Sequence, residues 1–572
     1  MSTTYQPLPD TFRSRARLWG PPAPVDKTLT IHLLLRHNPQ QERIPLTDLA
    51  HQISQTRQFL SHDQFARQYS CSPTDIAQVE AFAHNHNLTI IEANPLWRTV
   101  SLQGTIGDLN NAFQITIHQQ KHKQFFPVYE GHLSLPTPLH EIVTWVWGLH
   151  KEIALLQQSQ ASIADGTLPC QYDLNQLAEI YNFPPHLDGQ DVCVGVLSLY
   201  GGYKQSDMET FFTDLGLPLP RLVNVGPNRW VEGFDVWANF EVTMDVQITA
   251  ALAPAATTAV YFSGATGYHD TSTWNYFKVI NMALFDTINK PSVLTMSWGL
   301  PETLTGIWIK KEAELIDELF QIAAILGITV CLPTGDSGSI FPTGVSMFNA
   351  PTLTYFPASS PWVLSCGATT LYTHNNKIDK EIVWNRLAEH MRLVYSTDND
   401  NHYSNIDGPL FNLGASSGGI SIYFPRPAYQ DNANVPPFEQ IQFNDWIFAQ
   451  GESFAGRGIP DVAAVGDFLT GYKIYIDGQW RSGGGTSAST PLWAGLLARL
   501  VQGTGQRLGF INPLLYHLQI DQNIDLLNPI TEGHNGGFAA SPHHRWNACT
   551  GLGTPHGQRL LDALQKHLPP PK

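Results

Sequence analysis

Apolar and polar positions alternate along the chain in blocks that predict strands separated by helices. Continuous apolar runs, which are typical of parallel strands buried on both faces, occur at 192–203, 259–264, 292–299 and 328–335. Amphipathic stretches beside these runs predict helices at 206–215, 241–252 and 311–326. Strands and helices in this order predict an α/β fold with a doubly wound parallel sheet. Ligands of such a sheet bind beyond the carboxyl ends of its strands, where we expect the functional residues.

The pattern before residue 157 is different and predicts a smaller domain. Apolar runs at 29–35 and 97–102 predict strands, and the stretches around 45–60 and 74–87 predict helices. Ser72 and Pro73 open the second of these helices, because serine caps a helix and proline suits its first position. This mixture predicts a compact α+β domain.

A polar, nearly uncharged segment separates the two patterns. Residues 157–169 read QQSQASIADGTLP, a composition that is typical of an exposed linker. We therefore predict a smaller domain at 1–156, a linker at 157–169 and a larger domain at 170–572.

Composition and charge exclude several classes of protein. Of 572 residues, 42% are hydrophobic, which is enough for a large buried core. The net charge of −16 argues against a nucleic-acid partner, and the most apolar stretch, at 319–332, is too short and too interrupted to span a membrane. The N-terminus lacks the apolar segment of a secretory signal. The six cysteines show neither metal-ligand spacing nor a disulfide framework.

Ser487 is a candidate nucleophile. It lies in the glycine-rich segment R-S-G-G-G-T-S-A-S-T-P at 481–491, directly before an apolar helix whose first turn Pro491 suits. At a helix N-terminus, the dipole and unpaired N–H groups favour a nearby oxyanion. The alternative is an ordinary helix cap, which is the commoner role of serine there. A nucleophilic serine needs a base, yet the His-Gly pair at His556 follows the serine instead of preceding it.

Glu241 and Asp245 are the candidate base. They lie four residues apart on a predicted helix, so both carboxylates project from one face. Their apolar neighbours indicate a partly buried face, where two carboxylates share a proton and one apparent pKa rises. Such a pair can accept a proton from a serine. The alternative is a solvated acidic face of a surface helix.

Asp336 is the third candidate. It lies in P-T-G-D-S-G-S at 333–339, directly after a predicted buried strand. Aspartate in a glycine-rich turn commonly bonds its own backbone, and this is the alternative interpretation. A protonated aspartate can instead donate a hydrogen bond to a developing oxyanion, which requires acidic pH.

In series, these segments resemble the sedolisin family of serine-carboxyl peptidases, which includes the kumamolisins. The likeness rests on the order and spacing of Glu241-x-x-x-Asp245, S-W-G at 297–299, G-D-S-G-S at 335–339 and G-G-T-S-A-S at 484–489. It extends over about residues 170–565. Residues 1–156 resemble the activation propeptide of the family.

The resemblance implies a role for each candidate residue. Ser487 would be the nucleophile and Glu241 the general base and acid. Asp245 would orient Glu241 through a shared proton. Asp336 would be the oxyanion donor beside the backbone N–H of Ser487. The family also implies a subtilisin-like fold, endopeptidase activity at acidic pH without a catalytic cofactor, and a propeptide removed by the enzyme itself. Activity in acid implies an extracellular or acidic compartment.

The chain departs from the family pattern at two places. The resemblance implies a structural calcium site near the C-terminus, but the corresponding stretches read N-P-I-T at 528–531 and W-N-A-C at 546–549. Both lack the expected carboxylate, and Ca²⁺ prefers charged oxygen ligands, so we expect weak calcium binding or none. Ser198 stands where kumamolisin-like members carry a further carboxylate linked to the base, whereas Trp298 of that network is retained.

We therefore expect an acid-active endopeptidase made as a self-processing zymogen. Its partners would be protein or peptide substrates and its own propeptide, without nucleic acid or membrane, and it would act as a monomer. One alternative is a catalytically silent, peptidase-like protein that binds peptides, which the missing calcium carboxylates favour. Another is a cytoplasmic hydrolase of different chemistry, which rests only on the missing signal peptide.

Overall fold

Two compact units make up the structure, which is a computed structural model. It describes residues 4–13, 19–120, 127–149, 172–232, 236–267, 272–302, 310–339, 354–386, 414–437, 442–443, 446–447 and 454–570. The first unit comprises residues 1–49, 60–153 and 272–277, and the second comprises 50–59, 154–271 and 278–572. The predicted linker at 157–169 lies outside the described residues.

Antiparallel sheets form the framework of the first unit. The largest has the strand order Thr89–Asn94, Thr99–Thr105, Thr28–Leu35 and Val143–Trp147. A second joins Trp19–Pro22, Thr116–Gln120 and Pro127–Glu130, and a third pairs Tyr5–Pro7 with Ser134–Pro136. The two predicted strands of this region are confirmed, with bounds shifted by one to three residues because pairing partners, rather than apolarity, set where a strand ends.

The helices of this region begin where cap residues satisfy their free N–H groups. Helices lie at Leu46–Thr56, His62–Tyr69, Pro73–Asn85, Ile106–Phe113 and Thr137–His140. Ser72 caps the third helix by accepting a hydrogen bond from the Thr74 N–H, and Pro73 occupies its first turn, as predicted. The helix expected at 45–60 ends earlier, and Ser61 starts a separate helix with a capping box.

A parallel sheet forms the centre of the second unit and confirms the predicted α/β fold. Its strand order is Arg221–Val225, Thr257–Phe262, Cys193–Ser198, Val293–Thr295, Thr329–Pro333 and Leu364–His374. Leu364–His374 also pairs in parallel with Val462–Val465 and antiparallel with Lys377–Val383. The predicted apolar runs form strands of this sheet because every residue of Cys193–Ser198 and Thr329–Pro333 is buried.

Four short antiparallel strand pairs of the second unit are separate from the central sheet. They are Leu300–Pro301 with Tyr355–Phe356, Gly419–Pro425 with Gly456–Ile459, Gln442–Phe443 with Trp446–Ile447, and Tyr472–Ile476 with Gln479–Gly483.

Two buried helices position the candidate residues, and we call them the carboxylate helix, Trp237–Leu252, and the serine helix, Thr486–Thr504. The other described helices after residue 170 are Leu174–Ile180, Gln205–Asp214, Thr273–Leu284, Lys310–Leu326, Asn512–Tyr516 and Gly557–His567, with short helical turns at Ala428–Gln430, Phe468–Thr470 and His517–Asp521. None of the described helices has the length and apolarity needed to cross a membrane.

The carboxylate and serine helices pack closely at Gly495. A Cβ atom at this position would lie 2.7 Å from the Cβ of Leu252, closer than two carbon atoms approach without overlap. The absence of a side chain at Gly495 therefore sets the distance between the two helices. Pro491 lies in the second turn of the serine helix, so the prediction that it occupies the first turn is wrong: the helix begins at Thr486.

Candidate active site

The carboxylate helix carries Glu241 and Asp245 into the protein interior. All residues from 238 to 252 are buried, and the exposed fractions of Glu241 and Asp245 are 4% and 1%. The alternative of a solvated acidic face is therefore wrong for this helix. Oε1 of Glu241 has no hydrogen-bond partner among the residues that the structure describes, so a buried carboxylate oxygen is available to a proton donor.

Burial changes the proton affinity of this pair. Desolvation raises the pKa of Glu241 to about 8; the nearby hydroxyls of Ser487 and Ser297 lower it, and the charge of Asp336 raises it. Desolvation and the neighbouring Glu241 also raise the pKa of Asp245. Two carboxyl groups in this setting hold a proton to higher pH than isolated ones, and the proton belongs to the pair.

The serine helix begins at a glycine that lets the chain turn sharply. Gly485 has φ of +82°, a left-handed conformation that favours glycine, and its N–H donates to the Gly466 carbonyl at 2.6 Å. Ser487 follows as the second helical residue and is 7% exposed. Its backbone N–H belongs to the group that has no acceptor within a helix.

Asp336 lies in the loop directly after the strand Thr329–Pro333 and faces the start of the serine helix. Its Oδ1 accepts hydrogen bonds from the Thr486 N–H at 2.7 Å and the Thr486 Oγ1 at 2.9 Å. This carboxylate oxygen thus binds a segment that is distant in the chain. A Cβ on Gly485 would lie 2.5 Å from Oδ2 of Asp336, so glycine is required for this approach as well.

Ser297 links the carboxylate pair to the serine helix, and the sequence analysis did not single it out. Its Oγ lies 2.8 Å from Oδ1 of Asp245 and 3.4 Å from the backbone carbonyl oxygen of Ser487. That carbonyl lacks its helical partner because Pro491, four residues on, has no N–H. Ser297 belongs to the S-W-G motif at 297–299, and this motif is the sequence signal that could have identified it.

The structure thus brings the four candidate residues into one site. Ser487 and Asp336 both affect the pKa of Glu241, Ser297 bridges Asp245 to the serine helix, and Asp336 binds Thr486. His556 instead caps the helix Gly557–His567 through Nδ1, at 3.4 Å from the Arg559 N–H.

Comparison with known proteins supports the same interpretation. Residues 20–152 match the family described as "Pro-kumamolisin, activation domain", and residues 250–510 match the subtilase family. Kumamolisin from Bacillus sp. (strain MN-32) is 33% identical over 527 residues, covering 89% of this chain and 86% of kumamolisin. The chain belongs to the sedolisin family of serine-carboxyl peptidases.

Other members of the sedolisin family are more distant. Tripeptidyl-peptidase 1 from Rattus norvegicus is 27% identical, covering 75% of this chain and 72% of that protein. The solved structure of Pseudomonas sedolisin, a serine-carboxyl proteinase, superposes with a TM-score of 0.56 at 24% identity, covering 70% of this chain and 99% of that one, which shows the shared fold. This chain is therefore a serine-type peptidase with an N-terminal activation domain.

Aromatic rings occupy the side of the site where the sedolisin-family resemblance leads us to expect a further carboxylate. Ser198 is buried, and its Oγ donates to the backbone carbonyl of Tyr200 at 2.8 Å. The Tyr200 ring lies 4.9 Å from that of Trp298 and 5.9 Å from that of Trp237, measured between centroids. Among the described residues, these aromatic rings lie at the start of the carboxylate helix.

The residues at the expected calcium position of the sedolisin family do not fit a calcium ion. Oδ1 of Asn547 accepts the N–H groups of Cys549 and Thr550, each at 3.0 Å. Asn528 Oδ1 accepts from the guanidinium of Arg559 at 3.0 Å, which places a cation of the protein there. Within the described part of the chain, no three His, Cys, Asp or Glu residues are arranged to hold a metal ion.

Proposed function

We propose that this sedolisin-family chain is an acid-active endopeptidase, made as a zymogen, that removes its own activation domain. The observation that carries the proposal is that Ser487 lies at a helix N-terminus, with its hydroxyl near the buried carboxyl group of Glu241 and with Asp336 bound to the adjacent Thr486. The expected place of action is extracellular or an acidic compartment.

In the first half of the proposed reaction, Ser487 Oγ attacks the scissile carbonyl carbon. Glu241 accepts the hydroxyl proton and passes it to the leaving amine, which departs as the acyl-enzyme forms. Asp245 holds the proton that the pair already shares before the reaction, and it thereby fixes the Glu241 carboxylate in place. Water then attacks the acyl group, with Glu241 again accepting and returning the proton.

When Ser487 attacks, negative charge develops on the carbonyl oxygen of the substrate, and hydrogen-bond donors that are already in position stabilise it. The Ser487 N–H is one, and the second is a proton on the carboxyl group of Asp336. A carboxyl group donates only while it is protonated, so this donor is lost as pH rises. Activity in acid follows from this requirement on Asp336. The raised pKa of the Glu241–Asp245 pair has a different effect, because it keeps one proton between these two carboxyl groups.

The relatives include proteins named tripeptidyl-peptidases, so the mode of cleavage needs its own test. An endopeptidase cuts a fluorogenic peptide whose N-terminus is acetylated, whereas a tripeptidyl-peptidase requires the free amine. We expect cleavage of the acetylated peptide within its sequence, read by mass spectrometry. Release of tripeptides from the unblocked peptide alone would contradict endopeptidase activity.

We also propose that neither activity nor stability depends on calcium. The two asparagines at the expected site are engaged with protein groups, as described for Asn528 and Asn547. A binding-only protein, the second candidate function, was favoured by this same loss of carboxylates. It predicts peptide binding without cleavage.

The experiment that tests the proposal follows self-processing. Full-length protein and its Ser487→Ala variant are incubated at pH 4 and pH 7.5, each with and without the chelator EGTA. Intact mass and N-terminal sequencing then follow the chain over time. We expect a cut in or beside residues 157–169, in the wild type only, at pH 4 only, and equally with EGTA.

Each other outcome has a distinct meaning. Cleavage of both proteins alike would indicate a contaminating protease and would remove the evidence for Ser487. If neither chain changes, and the wild type also fails to digest an unfolded protein at pH 4, the binding-only function is supported. Loss of processing in EGTA would contradict only the proposal that the protein does not depend on calcium.

A further inference from the structure

The main chain on both sides of Asp336 is held by residues that are distant in the sequence. Gly335, directly before Asp336, has φ of +97°, a left-handed conformation that favours glycine. Its N–H donates to Oγ1 of Thr486 at 3.0 Å. Ser337, directly after Asp336, donates its N–H to Oγ of Ser417 at 3.1 Å. The direction of the Asp336 side chain therefore depends on contacts that its two neighbours make.

Tyr355 contacts both of these neighbours with one side chain. A Cβ atom on Gly335 would lie 2.6 Å from a ring carbon of Tyr355, so the ring packs directly on the glycine. The Tyr355 hydroxyl donates to Oγ of Ser337 at 3.0 Å. Tyr355 is 4% exposed, so water competes little for this hydrogen bond. One side chain thus holds the residue before Asp336 by packing and the residue after it by a hydrogen bond.

The Tyr355 hydroxyl keeps its proton in acid and at neutral pH. Burial raises the pKa of Tyr355 to about 12, although the hydroxyls of Ser337 and Ser417 lower it. The charge of Asp336 acts in the same direction as burial, because a phenolate is disfavoured beside a carboxylate. The hydrogen bond from Tyr355 to Ser337 is therefore present throughout the pH range in which a peptidase is assayed.

The strand that carries Tyr355 is itself anchored. Tyr355–Phe356 pairs antiparallel with Leu300–Pro301, which directly follows the S-W-G motif. Glu302 comes next, and its N–H donates to the Thr354 carbonyl oxygen at 2.8 Å. The buried carboxyl group of Glu302 accepts hydrogen bonds from the hydroxyls of Thr354 at 2.8 Å and Ser421 at 2.7 Å. These bonds hold the backbone from which the Tyr355 ring projects.

We propose that Tyr355 is a positioning residue for the peptidase reaction, and that it holds the carboxyl group of Asp336 where that group donates to the oxyanion. The inference rests on the proposed function, in which Asp336 is that donor. A donor acts at about 2.7–3.1 Å from the developing charge, and displacement of a catalytic group by about 1 Å costs on the order of 10²-fold in rate. Because this charge develops only in the transition state, Tyr355 affects kcat and not substrate binding.

A structural role for Tyr355 predicts different behaviour. A buried tyrosine hydroxyl needs a partner wherever it lies, and its loss lowers stability. Loss of a purely structural bond leaves the kinetics of the folded enzyme unchanged. Loss of a positioning contact lowers kcat in the folded enzyme, and it has no further effect in a chain that already lacks the Asp336 carboxyl group.

The test compares the wild type with Tyr355→Phe, which keeps the ring on Gly335 and removes only the hydroxyl. Each full-length chain carries a recognition sequence for an added, site-specific protease within residues 157–169, so activation does not depend on the variant's own activity. A fluorogenic peptide then gives kcat and KM at pH 4. We expect kcat to fall about fivefold to tenfold, the contribution of one buried hydrogen bond, with KM within about twofold of the wild type.

Ser337→Ala removes the acceptor of the same hydrogen bond and leaves Tyr355 in place. We expect it to lower kcat as Tyr355→Phe does, and the double variant to lose no more than either single one. It also serves if Tyr355→Phe does not fold. Unchanged kcat in a folded protein that carries either substitution would overturn the proposal.

Tyr429→Phe is the matched control. The Tyr429 hydroxyl donates to the backbone carbonyl oxygen of Pro361 at 2.8 Å, outside the loop that carries Asp336. We expect kcat to stay within about twofold of the wild type, whatever the change in unfolding temperature. A loss of kcat equal to that in Tyr355→Phe would show a general effect of removing a hydroxyl and would overturn the proposal.

The last comparison places Tyr355→Phe in an Asp336→Ala chain. We expect no further loss of kcat there, because the group that Tyr355 positions is absent. A further loss as large as in the wild-type background would show that Tyr355 does not act through Asp336, which overturns the proposal.

The same variants distinguish failure of this inference from failure of the proposed function. Wild-type activity in Asp336→Ala would contradict the oxyanion role of Asp336, and the inference would fall with it. A large loss in Asp336→Ala together with full activity in Tyr355→Phe would overturn the inference alone and leave the proposed function unchanged.

Discussion

Ser297 makes the serine helix sensitive to the proton on Asp245. A hydroxyl carries one hydrogen, and Ser297 Oγ lies 2.8 Å from Asp245 Oδ1 and 3.4 Å from the Ser487 carbonyl oxygen, besides being near the Glu241 carboxyl group whose pKa it lowers. An ionised Asp245 takes that hydrogen. A protonated Asp245 can donate to Ser297 instead, which leaves the Ser297 hydrogen for the Ser487 carbonyl. The position of the shared proton is thus coupled to the start of the serine helix.

Replacement of Asp336 tests the oxyanion donor. We expect Asp336→Ala to lower kcat at pH 4 by about 10²–10³-fold, which is typical of the loss of one oxyanion donor. The variant also removes the acceptor of the Thr486 N–H, so the unfolding temperature is measured in parallel. Activity within threefold of the wild type, in a protein of unchanged stability, would exclude Asp336 from the reaction.

At the residue scale, the sequence supported those assignments whose chemistry belongs to a single side chain. Ser487, Glu241, Asp245 and Asp336 were nominated because their residue types, order and spacing are informative. Ser297 was not, since its importance comes from two contacts with residues distant in the chain. Hydrogen bonds of that kind depend on how helices and strands pack, which periodicity does not report.

The approach of the serine helix to the carboxylate helix depends on one missing side chain. We expect Gly495→Ala to push the helices apart, because its Cβ would lie 2.7 Å from that of Leu252. Displacement of catalytic groups by about 1 Å costs on the order of 10²-fold in rate. The measurement is kcat at pH 4 on a fluorogenic peptide.

Gly503→Ala is the control for that prediction. It lies on the same helix, farther from Ser487, and its Cβ would meet the ends of Leu187 and Leu561, which are flexible side chains. We expect stability to change and kcat to stay near that of the wild type. Equal loss of kcat in both variants would show that helix spacing at Gly495 has no special role.

At the element scale, apolar runs predicted where strands lie better than where they end. The run at 292–299 was predicted as one strand, yet the sheet includes only Val293–Thr295. The residues that follow leave the sheet, and Ser297 then faces Asp245. An apolar run marks burial, and burial in the sheet cannot be distinguished by pattern from burial beside the site.

At the scale of the whole molecule, buried carboxyl groups favour the folded state in acid. Burial raises the pKa of Asp317 to about 6, although hydrogen bonds from Ser360 and Gln321 lower it. Burial also raises the pKa of Glu302 and of Glu381. Because the folded-state pKa exceeds the unfolded one, this stabilisation is complete below about pH 4 and is lost as pH rises through 6.

We therefore expect the free energy of unfolding of Ser487→Ala protein to fall between pH 4 and pH 7. Asp317 alone should account for about 2–3 kcal/mol of this fall. Asp317→Asn imitates the protonated acid and should remove that part, as measured by urea unfolding at both pH values. Asp431→Asn, at an exposed aspartate, should leave the slope unchanged. A slope that is the same in both variants would contradict the assignment.

The organisation of the whole chain was only partly accessible from its sequence. The polar segment at 157–169 and the family motifs suggested a division into two domains. The membership of residues 50–59 in the second unit and of residues 272–277 in the first was not visible, because it depends on contacts with residues that are distant in the chain.

Pro491 shows that helix stability and function make opposite demands on one position. A proline inside a helix costs about 3 kcal/mol relative to alanine, since it removes a hydrogen bond and crowds the preceding turn. Selection for stability alone would replace it. Pro491 leaves the Ser487 carbonyl without its helical hydrogen bond, and Ser297 approaches that carbonyl. A stabilising substitution of Pro491 would supply a backbone N–H that binds this carbonyl in place of Ser297. Sequence libraries screened only for thermal stability would therefore enrich substitutions at this position that work against the enzyme.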